Sequence, residues 1–103
     1  MFELQIGIAN RELGILNIPI RYSGQFPPDN QEVELIIDDE ISFIGRVDRT
    51  ININGSVRIH FPVNQLCGMR FNEWIIEYER LNGSVLRLDM NGTNNTVNKL
   101  RVV

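Results

Sequence analysis

An all-β fold of about seven to eight mostly antiparallel strands, with one or two short helical turns, is predicted by three features of this sequence. Helix formers are scarce: Ala9 and Lys99 are the only alanine and the only lysine, whereas Ile, Val, Asn and Gly are plentiful. Apolar and polar residues alternate over several short runs, the period of strands with one buried face. Turn-forming clusters separate those runs, as at Pro27-Pro28-Asp29-Asn30, Asn54-Gly55-Ser56 and Asn82-Gly83-Ser84. A chain of 103 residues is enough for one domain with one core and too short for a second lobe.

Phe2, Leu4, Ile6 and Ile8 alternate with Glu3, Gln5 and Gly7 and predict the first strand. Asn10-Arg11-Glu12 follows as a polar connection, with Asn10 and Arg11 as exposed candidates at its tip. Leu16, Ile18 and Ile20 give the second strand a core-facing side, and Pro19, which has no amide hydrogen, makes that strand an edge or leaves its Pro19 side unpaired. Arg21 to Gln25 forms a polar corner closed by Phe26-Pro27-Pro28. Such an edge either offers Arg21, Tyr22 and Ser23 to a partner or simply ends the sheet. Val33, Leu35 and Ile37 form a third strand, Asp38-Asp39-Glu40 a solvated turn, and Ile41, Phe43 and Val47 a fourth strand.

Thr50 to Phe61 reads as a hairpin around Asn54-Gly55. A two-residue loop sets Ile51 opposite Arg58 and mixes core with surface. An odd loop, Ile53-Asn54-Gly55 with Gly55 left-handed, puts Ile51, Val57, Ile59 and Phe61 on one face and Thr50, Asn52, Arg58 and His60 on the other. Pro62 to Phe71 lacks alternation and holds one short helical turn before Gly68. Trp74, Ile76 and Tyr78 then alternate with glutamates, and Leu86, Leu88 and Met90 with Arg87 and Asp89. A turn at Asn82-Gly83-Ser84 makes these a hairpin with a Glu79–Arg87 cross-strand ion pair and with Trp74 and Tyr78 in the core. Leu100 and Val102 fit a closing strand.

The formal net charge of -3 argues against a surface that coats itself in phosphate contacts. The distribution is more telling: Arg46, Arg49, Arg58 and Arg70 have only Asp48 as an acid among them, and nine of the ten basic residues are arginine, the type suited to bidentate recognition. Compositional bias also accounts for an arginine excess. With one histidine, His60, and one cysteine, Cys67, no metal site and no cofactor is expected. His60 has no serine, cysteine or acid at a telling spacing and reads as a surface histidine, and neither a phosphate-cradling loop nor a nucleophile elbow is present. The expectation is a binding module rather than an enzyme. No basic-then-apolar leader, long apolar run or lipidation signal is seen, so the chain is expected to be soluble and cytoplasmic, with no membrane partner.

The order Phe2-Glu3, Asn10-Arg11-Glu12-Leu13-Gly14, Leu16-Asn17-Ile18-Pro19-Ile20, Tyr22 and Phe26-Pro27 resembles the opening of the DNA-binding pseudobarrel family. That family includes the B-three domains of plant transcription factors and the recognition domains of the restriction endonucleases EcoRII and BfiI. The likeness covers about the first thirty residues and is topological beyond them. It departs from the plant pattern at Ile20, where plant members carry a basic residue, and in lacking their later tryptophan-rich hairpin and helix. The resemblance implies a small open barrel, or pseudobarrel, whose two arms grip the major groove of double-stranded DNA. It assigns Asn10, Arg11, Arg21, Tyr22 and Ser23 to the first arm, and Arg46, Asp48, Arg49, Asn52, Asn54 and Arg58 to the second. Arginine bonds both acceptors of a guanine edge, asparagine matches adenine, and Asp48 would accept from cytosine. Tyr22 and Ser23 suit phosphates better.

The expected function is therefore sequence-specific recognition of duplex DNA without catalysis, as the targeting part of a nuclease, with a nuclease domain fused or associated. The other reading is a protein-interaction or structural β-barrel that docks another chain on the edge strand at Pro19.

Overall fold

The first strand is shorter than its alternation predicts. In the computed structural model, which describes residues 2–50, 55–61, 70–93 and 96–103, β1 spans Phe2–Gln5 and Ile8–Leu13 is a helix, α1. The Gly7 amide donates to Asn10 Oδ1 (2.7 Å) at the start of this helix, and Gly14, left-handed at φ +66°, ends it. A Cβ at Gly14 would stand 3.2 Å from the Phe61 carbonyl, so the turn also needs glycine for space.

The remaining elements are β2 (Ile15–Ile18), α2 (Ile20–Ser23), β3 (Glu32–Ile36), β4 (Ser42–Asp48), β5 (Val57–His60), α3 (Phe71–Asn82), β6 (Val85–Thr93) and β7 (Thr96–Val102). Their seven strands form one nearly closed, barrel-shaped sheet in the order β1-β6-β7-β3-β4-β5-β2. Five of the six pairings are antiparallel, and β3 with β7 is parallel. The strand carrying the Ile-Pro element, β2, ends the sheet as expected, but it stops before Pro19, and Ile20, expected to face the core, begins α2 and is 53% exposed.

The inward residues are those that the alternation of β3 to β6 predicts: Val33, Leu35, Phe43, Val47, Val57, Ile59, Leu86 and Leu88 are all buried in one core cluster. Full burial of each such side chain contributes about 1.5–3 kcal/mol. Gly45 lies between Phe43 and Val47 on the same face, and a Cβ there would meet Ile59 Cγ2 at 2.6 Å and Phe61 Cε1 at 2.7 Å. The missing side chain lets Ile59 and Phe61 pack directly on the strand.

The predicted strand over Trp74 to Tyr78 is instead the middle of α3. Phe71 and Ile75 are buried, and Trp74 and Tyr78 pack against the core, which is the i, i+3, i+4, i+7 pattern of one helical face. Ile76, expected inside, is 49% exposed. Phe71 stacks on Phe61 (centroids 4.7 Å apart) and meets Phe43 edge-on (5.9 Å). The expected Glu79–Arg87 pair is replaced by Arg11 Nη1 on both carboxylate oxygens of Glu79 (3.0 Å each), tying α1 to α3, while Arg87 faces Glu3 across β1 and β6 at 3.8 Å. Among the described residues no helix is long and apolar enough to cross a membrane.

The hairpin expected over Thr50 to Phe61 is shifted: β5 pairs with β4, which ends at Asp48, so Asp48 rather than Thr50 stands opposite Arg58, and Arg46 stands opposite His60. Val57, Ile59 and Phe61 face inward, Arg58 and His60 do not, and Gly55 is left-handed at φ +87°, all as expected. Ile51 to Asn54, the helical turn before Gly68, and Cys67 lie outside the described residues.

Candidate nucleic-acid interface

Arg49, one residue beyond β4, joins the two segments that the sequence marks as arms. Its Nη2 donates to the carbonyls of Ser23 (2.9 Å), Phe26 (2.8 Å) and Pro27 (3.0 Å), and its Nε to Pro27 (3.1 Å). The Arg49 amide donates to Asp29 Oδ1 (2.9 Å). One guanidinium thus closes the polar corner after β2 onto the end of β4, using the fork geometry that lysine lacks. The other side of the corner is fixed by the Val97 amide, which donates to the Gln25 carbonyl (2.6 Å).

The first-arm residues separate into spent and available groups. Asn10 is buried rather than exposed, at 7% accessibility: Oδ1 accepts from Gly7 and Nδ2 donates to the Ile15 carbonyl (2.7 Å). A polar amide inside the fold is held by such bonds and is removed from any partner. Arg11 is committed to Glu79. Tyr22 is half-buried with its ring 4.8 Å from that of Phe2, and Ser23 Oγ donates to the Ile20 carbonyl (2.8 Å) within α2. Arg21 is exposed, its guanidinium lying 4.9 Å above the Tyr22 ring.

Among second-arm residues, Arg46 and Arg58 are available. Arg46 is 57% exposed, donates to the Asn30 carbonyl (3.0 Å) and approaches Glu32 at 3.6 Å. An exposed pair of this kind contributes about 0–1 kcal/mol, so the guanidinium exchanges partners at little cost. Arg58 stands between its cross-strand neighbours Asn17 and Asp48, with Nε 3.4 Å from Asn17 Oδ1. Asn52 and Asn54 lie outside the described residues.

Asp48 accepts from the Thr50 hydroxyl (2.7 Å) and amide (2.9 Å), and His60 Nε2 lies 3.3 Å from its Oδ2. The Thr50 hydroxyl, then the Thr50 amide, hold the Asp48 carboxyl below its ordinary range, with His60 adding to the effect and desolvation opposing it. The His60 contact is close enough for an ion pair but is not aligned as a hydrogen bond, leaving the buried Nε2 without a bonded partner among the described residues. Alternation had isolated His60 from any acid; the pairing of β4 with β5 supplies one diagonally across the ladder.

An open cleft of about 570 Å³ lies across β7, β3 and β4, touching the second arm only at Arg46, and is lined by Pro27, Asn30, Gln31, Glu32, Arg46, Thr96 and Asn98. Sequence reading assigned only Arg46 among them. The Asn30 amide donates to the Val47 carbonyl (2.7 Å), the Val47 amide to the Gln31 carbonyl (2.9 Å), and Asn30 is left-handed at φ +69°. An Asn after Pro-Pro-Asp was a turn signal, and its proximity to β7 depends on the parallel pairing of β3, which no local pattern encodes. Among the described residues no group of three or more His, Cys, Asp or Glu is placed to hold a metal ion. No protein-family model matches the chain, and no curated protein matches it in sequence.

Proposed function

We propose that this barrel is a non-catalytic module that recognises double-stranded DNA in a sequence-specific way, serving as the targeting part of a nuclease. The observation that carries the reading is the set of Arg49 bonds to the carbonyls of Ser23, Phe26 and Pro27, which hold the two arginine-bearing segments beside each other. Arg21, Arg46 and Arg58 then supply the contacts, while Asn10, Arg11 and Arg49 maintain the scaffold. Arginine is suited to guanine edges, and the acidic net charge of -3 makes direct base contacts, rather than bulk attraction, the source of affinity.

Selection from a randomised duplex library at low salt tests the reading. Enrichment of a motif is expected, with binding to it weakened by Arg46→Ala and Arg58→Ala; enrichment of no motif would sink it. A second reading, docking of another chain on β2, is favoured by the terminal position of that strand and by Leu13 and Ile20 at its two ends, 67% and 53% exposed. Loss of a binding partner or of self-association in a Leu13→Ser, Ile20→Ser variant, with DNA selection blank, would favour it.

A further inference from the structure

We infer that the cleft between β3, β4 and β7 reads base edges, through Asn30, Gln31 and Asn98 beside Arg46. The inference rests on the DNA reading above and assigns the part of the surface that would confer specificity. Its chemistry comes from the cleft lining. Asn30, Gln31, Asn98 and Thr96 each carry both donor and acceptor capacity, and among the described residues their side chains make no hydrogen bond with the protein.

The same lining disfavours other ligands of similar size. A phosphate group needs donors and positive charge, whereas Glu32 places a carboxylate beside Arg46. A sugar or an extruded base needs an aromatic face, and no aromatic residue lines this cleft. An uncharged edge with donors and acceptors side by side is what remains, and the major-groove edge of a base pair has that character. The amides match the adjacent donor and acceptor of adenine, Arg46 matches guanine, and Glu32 accepts from the cytosine amino group.

The cleft is also held in shape before any ligand arrives. Pro27 is fixed from the Arg49 side, Asn30 and Gln31 are bonded through their backbones to Val47, and Glu32, Arg46 and Asn98 stand on three adjacent strands. Rigid placement lowers the ordering cost of recognition.

The test is duplex selection with the whole chain as wild type, Asn30→Gly, Gln31→Ala, Asn98→Ala and, as a control on α3, Arg80→Ala. Asn30→Gly removes the amide and tolerates the positive φ, so it separates recognition from backbone strain. The expected result is a motif for the wild type and Arg80→Ala, with preference at one base position reduced about 5- to 150-fold in each cleft variant at unchanged thermal midpoint. A wild-type motif that all three cleft variants reproduce would overturn the cleft assignment and leave the DNA reading standing. No motif from any of the proteins would overturn both.

Discussion

Arg49 Nη2 donates to the backbone carbonyl of Ser23 at 2.9 Å, so a residue beyond β4 fixes the corner that follows β2. Hydrogen bonds from a charged donor contribute about 1.5–3 kcal/mol, and loss of this one exposes several carbonyls together. Arg49→Ala is expected to lower stability by about 2 kcal/mol in urea denaturation. Arg49→Lys should recover less than half of that, because an ammonium cannot span the same carbonyls. An unchanged midpoint for Arg49→Ala would show that the corner holds without it.

Asn10 joins Gly7 to Ile15 through its buried amide. Asn10→Ala should destabilise the protein by about 1–3 kcal/mol, since a backbone donor and a backbone acceptor both lose their partner. Asn10→Asp keeps the acceptor for Gly7 but sets a carboxylate oxygen against the Ile15 carbonyl. It should be at least as unstable at neutral pH, and the deficit should shrink under acid, where the protonated group can donate. Thermal unfolding at two pH values distinguishes the cases, and an equal deficit at both would contradict the donor role of Nδ2.

Asp48 has a carboxyl held below its ordinary range by Thr50. A depressed folded value means stability that is present above the unfolded value, about 3.9, and lost as pH falls through the folded one. The stability difference between wild type and Asp48→Asn should therefore be constant near neutrality and decline only below about pH 4. Thr50→Ala should reduce that acid-side dependence. A decline centred well above this range would assign the pH dependence to another group.

Salt dependence follows from the few cations available on the two segments. With Arg21, Arg46 and Arg58 as the available cations, and Arg46 given to a base edge, the slope of log K against log salt on a selected duplex should be no steeper than about -3. Fluorescence anisotropy across a salt series measures it, and a much steeper slope would place further cations, such as Lys99 or Arg101, in the interface.

Strand alternation made much of the barrel wall legible. Val33 and Leu35, Val57 and Ile59, and Leu86 and Leu88 are separated by one residue, and each pair faces the core. Alternation misread Trp74 to Tyr78 because Trp74 and Tyr78 satisfy both a two-residue and a helical period. Phe71 and Ile75 complete the helical stripe, and the exposure of Ile76 settles the choice. The first strand is shorter than its alternation for a related reason: Ile8 continues the alternation yet begins α1 and is 66% exposed.

The candidate site divides along the same line. Its polar corner after Pro19, the left-handed Gly55, and the outward placement of Arg58 and His60 follow from local conformational preference and strand period, so the sequence determined them unaided. Which polar groups stay available was decided only by tertiary structure. Asn10, Arg11 and Arg49 are indistinguishable from free binders along the chain, but Arg11 meets Glu79 and Arg49 meets Ser23, Phe26 and Pro27 once the sheet curls. Asn98 reaches the cleft through the parallel pairing of β3 with β7. A polar side chain's role depends on the partner it finds, and here the partners come from distant segments that pairing and closure of the sheet bring together.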